Sequence, residues 1–281
     1  MSHVIDTPFI MQAPRDVAAW VNCFAQLEIP VLASTVAAVA ELGMNEDAVD
    51  AHLLSDTLGD DPLMVLKLLR HVAARRSARA TADAETVTAA VLMLGIPPFF
   101  HAFGDQASVE DRLAGQPEAL AGWHAVLQRS HRAARFALGF AVHRMDHDAT
   151  VIHEAALLHD FAEMLLWVHA PALALEIAAR QLADPGLRSV DAQQAVLHVG
   201  LSDLQQALMK AWRLPELLVK ISDDHASVSP QVRNVQLAIR LARHTARGWD
   251  NAALPDDIAE IATLLNMAHE PTLALLHEID S

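Results

Sequence analysis

Asp61-Pro62-Leu63-Met64-Val65-Leu66-Lys67-Leu68-Leu69-Arg70-His71-Val72-Ala73-Ala74 reads as a helix before anything else in the chain is considered. Leu63, Leu66, Leu69 and Val72 or Ala73 fall three or four residues apart, which lines one face at 3.6 residues per turn. Pro62 suits the first turn, where its missing N–H is not needed, and Asp61 before it is placed to cap the free amides. The pattern recurs outward: Leu201, Leu204, Leu208 and Trp212 make a second stripe, while alternating runs of β-branched and aromatic residues are absent. The expected fold class is therefore all-α.

Breakers and caps set the expected boundaries. Residues 84–94 predict a helix capped by Asp83 and stopped by Gly95, Pro97 and Pro98. A polar stretch at 104–116 reads as a connection, with room for a short helix. A long helix is expected from about Pro117 to His143, then a turn through Met145, Asp146, His147 and Asp148, then one helix over 151–168. Further helices fit 171–182, 190–200, 202–212, 215–226, 230–247, 255–267 and 271–279, five of them opening on proline. No fixed-period repeat is present, which disfavours a solenoid.

With 281 residues, 53% of them hydrophobic, the chain has ample material for a core. The longest apolar run, 89–100, is interrupted by Gly95, Pro97 and Pro98 and falls short of the roughly 18 to 20 residues of a membrane span. The first fifteen residues lack the pattern of a secretory signal, so a cytoplasmic location is expected. Cys23 is the only cysteine, which leaves His and carboxylates as the available metal ligands. A formal charge of −15 opposes general nucleic-acid binding and anionic membranes.

Within Ala155-Ala156-Leu157-Leu158-His159-Asp160-Phe161-Ala162-Glu163-Met164-Leu165-Leu166, two ionisable residues stand in an apolar helix pattern. Burying them is costly unless they meet a metal, an opposite charge or hydrogen-bond donors. The pair resembles the His-Asp dyad of the HD superfamily of metal-dependent phosphohydrolases, with His131 similar to that family's first histidine. More specifically, the chain resembles the HDOD (HD-related output domain) branch from about Leu27 to Ala226. Glu28-Ile29-Pro30-Val31-Leu32 is similar to its entry motif, Asp60-Asp61-Pro62-Leu63 to its Asp-Pro helix, and residues 89–95 to its helix ending in Leu-Gly. Ala211-Trp212-Arg213-Leu214-Pro215 is similar to its Trp-x-Leu-Pro motif, and His225 stands where a His-His pair is common.

The departures bear on chemistry. Asp224 occupies the place of the second paired histidine, and residues 73–77 replace a common Asn-Ser. Residues 232–248, where the family's distant Asp ligand is expected, carry no acid, and Arg240 lies near that place. The dyad is therefore read either as metal ligands His131, His159 and Asp160, or as a hydrogen-bonded pair pinning two helices, with Arg240 a possible partner of Asp160.

Two other groups draw notice. Arg233, Arg240, Arg243 and Arg247, spaced 7, 3 and 4, fall along one side of a helix and suit an anionic ligand or acidic partner. The alternative is a solvated face balanced by nearby carboxylates. Lys67, Arg70, Arg75, Arg76 and Arg79 invite the same two readings. His143, Asp146, His147, Asp148 and His153 read as a turn rather than a zinc site.

The resemblance implies a regulatory signalling module of a kind common in bacteria. The expected organisation is a helical extension (1–26), an HDOD-like domain (27–226, made of bundles 27–103 and 117–226), and C-terminal helices (227–281) packed on the second bundle. The leading expectation is a non-catalytic regulator that binds a signalling protein or an anionic small ligand, with no catalytic residues, no cofactor, no membrane partner and a possible homo-oligomeric state. The alternative is a phosphohydrolase using a divalent metal.

Overall fold

The computed structural model describes residues 7–75, 83–223 and 229–281. Its helices run in order as α1 (Val17–Gln26), α2 (Ala33–Gly43), α3 (Ala51–Leu58), α4 (Pro62–Arg75), α5 (Val87–Leu94), α6 (Ile96–Phe103), α7 (Val109–Arg112), α8 (Pro117–His143) and α9 (Ala149–Leu157). They continue as α10 (Phe161–His169), α11 (Pro171–Ala183), α12 (Ser189–Leu197), α13 (Leu201–Ala211), α14 (Glu216–Ile221), α15 (Pro230–His244), α16 (Leu254–Leu265) and α17 (His269–Asp280). Among the described residues, β pairing is limited to an isolated parallel bridge between Val31 and Ser108, so the fold is all-α. No single described helix is long and apolar enough to cross a membrane.

The chain forms two compact units, one from residues 1–126 and 160–215, the other from 127–159 and 216–281. Both sides of the stretch 104–116 lie in the first unit. The stretch itself holds α7 and the strand-like pairing of Val31 with Ala107 and Val109 (3.0 and 2.8 Å). Trp20 of α1 is fully buried and its Nε1 donates to the Leu197 carbonyl at 3.0 Å, which ties α1 into the first unit.

In the first unit, α4 carries more than the expected stripe. Leu63, Leu66 and Leu69 are buried, and so are Met64, Val65 and Leu68, so this helix is enclosed on most sides. Asp61 caps it as expected: Oδ1 accepts from the amides of Leu63 and Met64 at 3.0 Å each. Its Oδ2 also accepts from the Leu32 amide at 2.7 Å, so one carboxylate joins the helix start to the segment before α2. Burial pushes the Asp61 carboxyl up from its ordinary value, and the hydrogen bonds from Leu32, Met64, Thr35 and Leu63 work in the opposite direction. The cap of α5 is Thr86, which accepts from the Ala89 amide at 3.2 Å, rather than Asp83. A threonine there satisfies the first-turn amides three residues later than the apolar pattern implied.

The second unit is built from the later part of α8 with α9, α14, α15, α16 and α17. Asn234 of α15 is fully buried and its Nδ2 donates to the Ala137 carbonyl of α8 at 3.1 Å. Arg132 of α8 is bidentate on Asp280 of α17, with Nε and Nη2 at 2.8 and 2.7 Å. Helices α15 and α17 thus pack against α8 within this unit.

Candidate functional site

The expected single helix over 151–168 is interrupted where the dyad falls. α9 ends at Leu157, α10 begins at Phe161, and Leu158, His159 and Asp160 form the junction. Turn-type hydrogen bonds carry the chain across it, from Leu158 N to Glu154 O (2.9 Å) and from His159 N to Ala156 O (3.3 Å). Asp160 occupies the N-cap position of α10, its carbonyl accepting from Met164 N at 3.0 Å, although its side chain makes no capping hydrogen bond. His159 and Asp160 are both buried, at 8% and 7% exposure, and both engage neighbouring groups. A helix junction lets consecutive side chains leave the backbone in directions that one continuous helix would not provide.

His131 is half-buried on α8 and is likewise engaged. Among the described residues, no three His, Cys, Asp or Glu side chains come together in a way that could hold a metal ion. His131 and His159, both in the second unit, meet no third such ligand among the described residues, and no chemical step through a metal follows from them. Asp224 and His225 lie outside the described residues, as do Arg76, Ser77 and Arg79. His143, Arg144, Met145 and Asp146 close the end of α8, with Met145 in the left-handed region (φ 56°) and Arg144 paired to Asp146 at 3.1 Å.

The arginine group is partly neutralised within the second unit. Arg240 of α15 meets two acids of α16, its Nε 2.7 Å from Asp257 Oδ1 and its Nη2 2.8 Å from Glu260 Oε1. Neither nitrogen points along a hydrogen-bond direction, so these contacts are chiefly coulombic. Arg233 approaches the other Glu260 oxygen at 3.5 Å, and His244 Nδ1 shares Asp257 through Oδ2. The proposed pairing of Arg240 with Asp160 is thus replaced by one with Asp257, a carboxylate only 3% exposed. Arg243 and Arg247 are exposed, and Arg247 lies beyond the end of α15, outside a single helical stripe. The signal for the neutralising acids is the pair Asp256-Asp257 after Pro255, placed in the first turn of α16 where carboxylates are favoured.

The sequence motifs acquire a physical meaning in this geometry. The segment 28–32 and the Asp61-Pro62 pair are joined by the Asp61–Leu32 hydrogen bond, and Lys67 of α4 reaches Glu28 at 3.6 Å. Trp212, at the end of α13, packs against Phe161 with ring centroids 5.9 Å apart and lies beneath the Arg70 guanidinium at 4.6 Å. Arg213 beside it takes φ 55°, which turns the chain out of α13 before Pro215.

The family model of the HDOD domain matches residues 29–228, well over half of the chain. The chain belongs to the HDOD family. No curated protein matches it. Among solved structures, this HDOD protein is similar to the MmoQ response regulator of Methylococcus capsulatus str. Bath, at 20% identity and a TM-score of 0.67, covering 89% of this chain and 98% of that one. It is also similar to a virulence factor of Campylobacter jejuni subsp. jejuni, at 14% identity and a TM-score of 0.64, covering 89% of this chain and 90% of that one. Identities this low show a shared HDOD fold.

Proposed function

We propose that this HDOD protein is a non-catalytic regulator that recognises a protein partner or an anionic small ligand. The observation that carries the reading is the placement of Arg240. On the helix where the resemblance implies a distant carboxylate ligand, this chain has no acid, and its Arg240 is held by Asp257 and Glu260. A guanidinium engaged by two carboxylates contributes no metal ligand and leaves the ligand set short of the family-type acid. The response regulator of similar fold supports a regulatory role, since its alignment takes in nearly its whole length. Arg243 and Arg247, exposed at and beyond the end of α15, are the side chains best placed to meet an anion.

The decisive experiment combines elemental analysis of tag-free protein with a phosphoesterase screen over nucleotides and phosphodiesters. The expected result is substoichiometric metal and no turnover, with chelator changing neither stability nor partner binding. A stoichiometric divalent ion, with phosphoesterase activity lost in Asp160→Ala, would overturn the proposal in favour of a metal-dependent phosphohydrolase.

A further inference from the structure

The second unit contains a groove of about 550 Å³ between the loop after α15, the start of α16 and one face of α17. Its volume lies within the range typical of small-molecule sites. Trp249 and His277 form an aromatic wall, with ring centroids 4.2 Å apart, and Leu254, Ile258 and Leu273 supply apolar surface. Every residue lining it lies after residue 228, where the HDOD match ends, so the groove lies outside the matched segment.

The wall is held in place before any ligand arrives. Trp249 Nε1 donates to Asp280 Oδ2 at 3.1 Å, and Asp280 is clamped by the bidentate Arg132. Arg132 itself donates to the carbonyl and hydroxyl of Thr245 at 3.0 and 2.8 Å. An indole fixed this way loses little conformational freedom on binding.

Charge selects the occupant. Asp250 is the one formally charged residue lining the groove, and no Lys or Arg lines it. Asp250 is exposed and makes no hydrogen bond or ion pair with any described residue, whereas its neighbour Asn251 is committed to His244 O and Ala253 N. Asp256 and Glu270, adjoining the lining residues Pro255 and His269, are exposed acids as well. An electron-rich indole beside an uncompensated carboxylate attracts a cation and repels an anion.

We propose that this groove binds a small organic monocation, an alkyl or aryl ammonium, whose apolar body lies against Trp249 and whose charge sits beside Asp250. The site is independent of the arginines of α15 and takes a ligand of opposite charge.

The test titrates the full chain with benzyltrimethylammonium, with benzyl alcohol and benzenesulfonate as neutral and anionic controls, read by ligand-observed NMR at low salt. Saturable binding of the ammonium alone is expected. Asp250→Asn should weaken it at least threefold, and Leu273→Trp, which fills the groove, should abolish it, with circular dichroism verifying that each variant is folded. Equal binding of the neutral control, no saturable binding of the ammonium, or full retention of affinity in the folded Asp250→Asn protein would each overturn the proposal. So would a concentration-dependent dimer that Leu273→Trp makes monomeric, because the groove would then be filled by a second copy of the chain.

Discussion

Asp257→Ala tests the arrangement around Arg240 most directly. The Asp257 carboxylate is 3% exposed and faces Arg240 through one oxygen and His244 through the other. Removing one member of a fully buried charge pair costs about 3–5 kcal/mol. Arg240, however, is 38% exposed, keeps Glu260, and meets Asp257 off the hydrogen-bond direction, so its share falls to about 1 kcal/mol. Loss of the contact with His244 adds about 1–2 kcal/mol. The expected total is roughly 2–3 kcal/mol, or a fall in melting midpoint of about 3–5 °C for a chain of this size. Urea and thermal midpoints for Asp257→Ala, Arg240→Ala and the double variant close a cycle whose coupling should be about 1 kcal/mol. A cost below about 0.5 kcal/mol with no coupling, joined to a measurable coupling between Arg240 and Asp160, would refute the assigned pairing.

Three further outcomes are expected. Gly122→Ala should destabilise the protein by about 1–2 kcal/mol despite the gain in helix propensity, since a Cβ there would lie 2.4 Å from the ring of the buried Trp167; a raised melting midpoint would reject this packing. Burial, reinforced by the Arg112 charge, pushes the His169 imidazole down to about 4. The unfolded chain therefore takes up this proton first on acidification, and stability should fall by roughly 3 kcal/mol as pH drops from about 6.5 to about 4 and level off below. Unfolding measured across that interval should show a shallower slope in His169→Gln, and an unchanged slope would remove His169 as the cause. The double change Arg243→Glu and Arg247→Glu should leave helicity intact and weaken pyrophosphate binding about tenfold in low-salt calorimetry, and unaltered heats would rule out an anion site there.

Local signals explain which parts of the architecture were legible. Pro117 and the turn chemistry after His143 bracket α8, and the expected limits coincide with the observed ones. Pro171 and Pro230 likewise open their helices. The break at the dyad was hidden because apolar periodicity continues on both sides, without a Gly or Pro to mark it. Asp160 followed three residues later by Glu163 is the one cue, an acid pair spaced as at a helix start. The neutralisation of Arg233 and Arg240 depends on α16, more than a dozen residues further along the chain, and spacing within one helix carries no information about it. The two-unit division was hidden for a related reason: it falls inside the unbroken α8, where no composition shift marks it.

Asp280, the last residue of α17, holds Arg132, Trp249 and, at 3.8 Å, Arg135. Deleting this one carboxylate, as in Asp280→Ala, would thus do more than remove a single charge. It would unfasten a guanidinium on α8 and release the indole tethered after α15, tens of residues away in sequence. Tryptophan fluorescence of the folded Asp280→Ala protein should register that loss as a shift from the wild-type spectrum, and an unchanged spectrum would refute the tether.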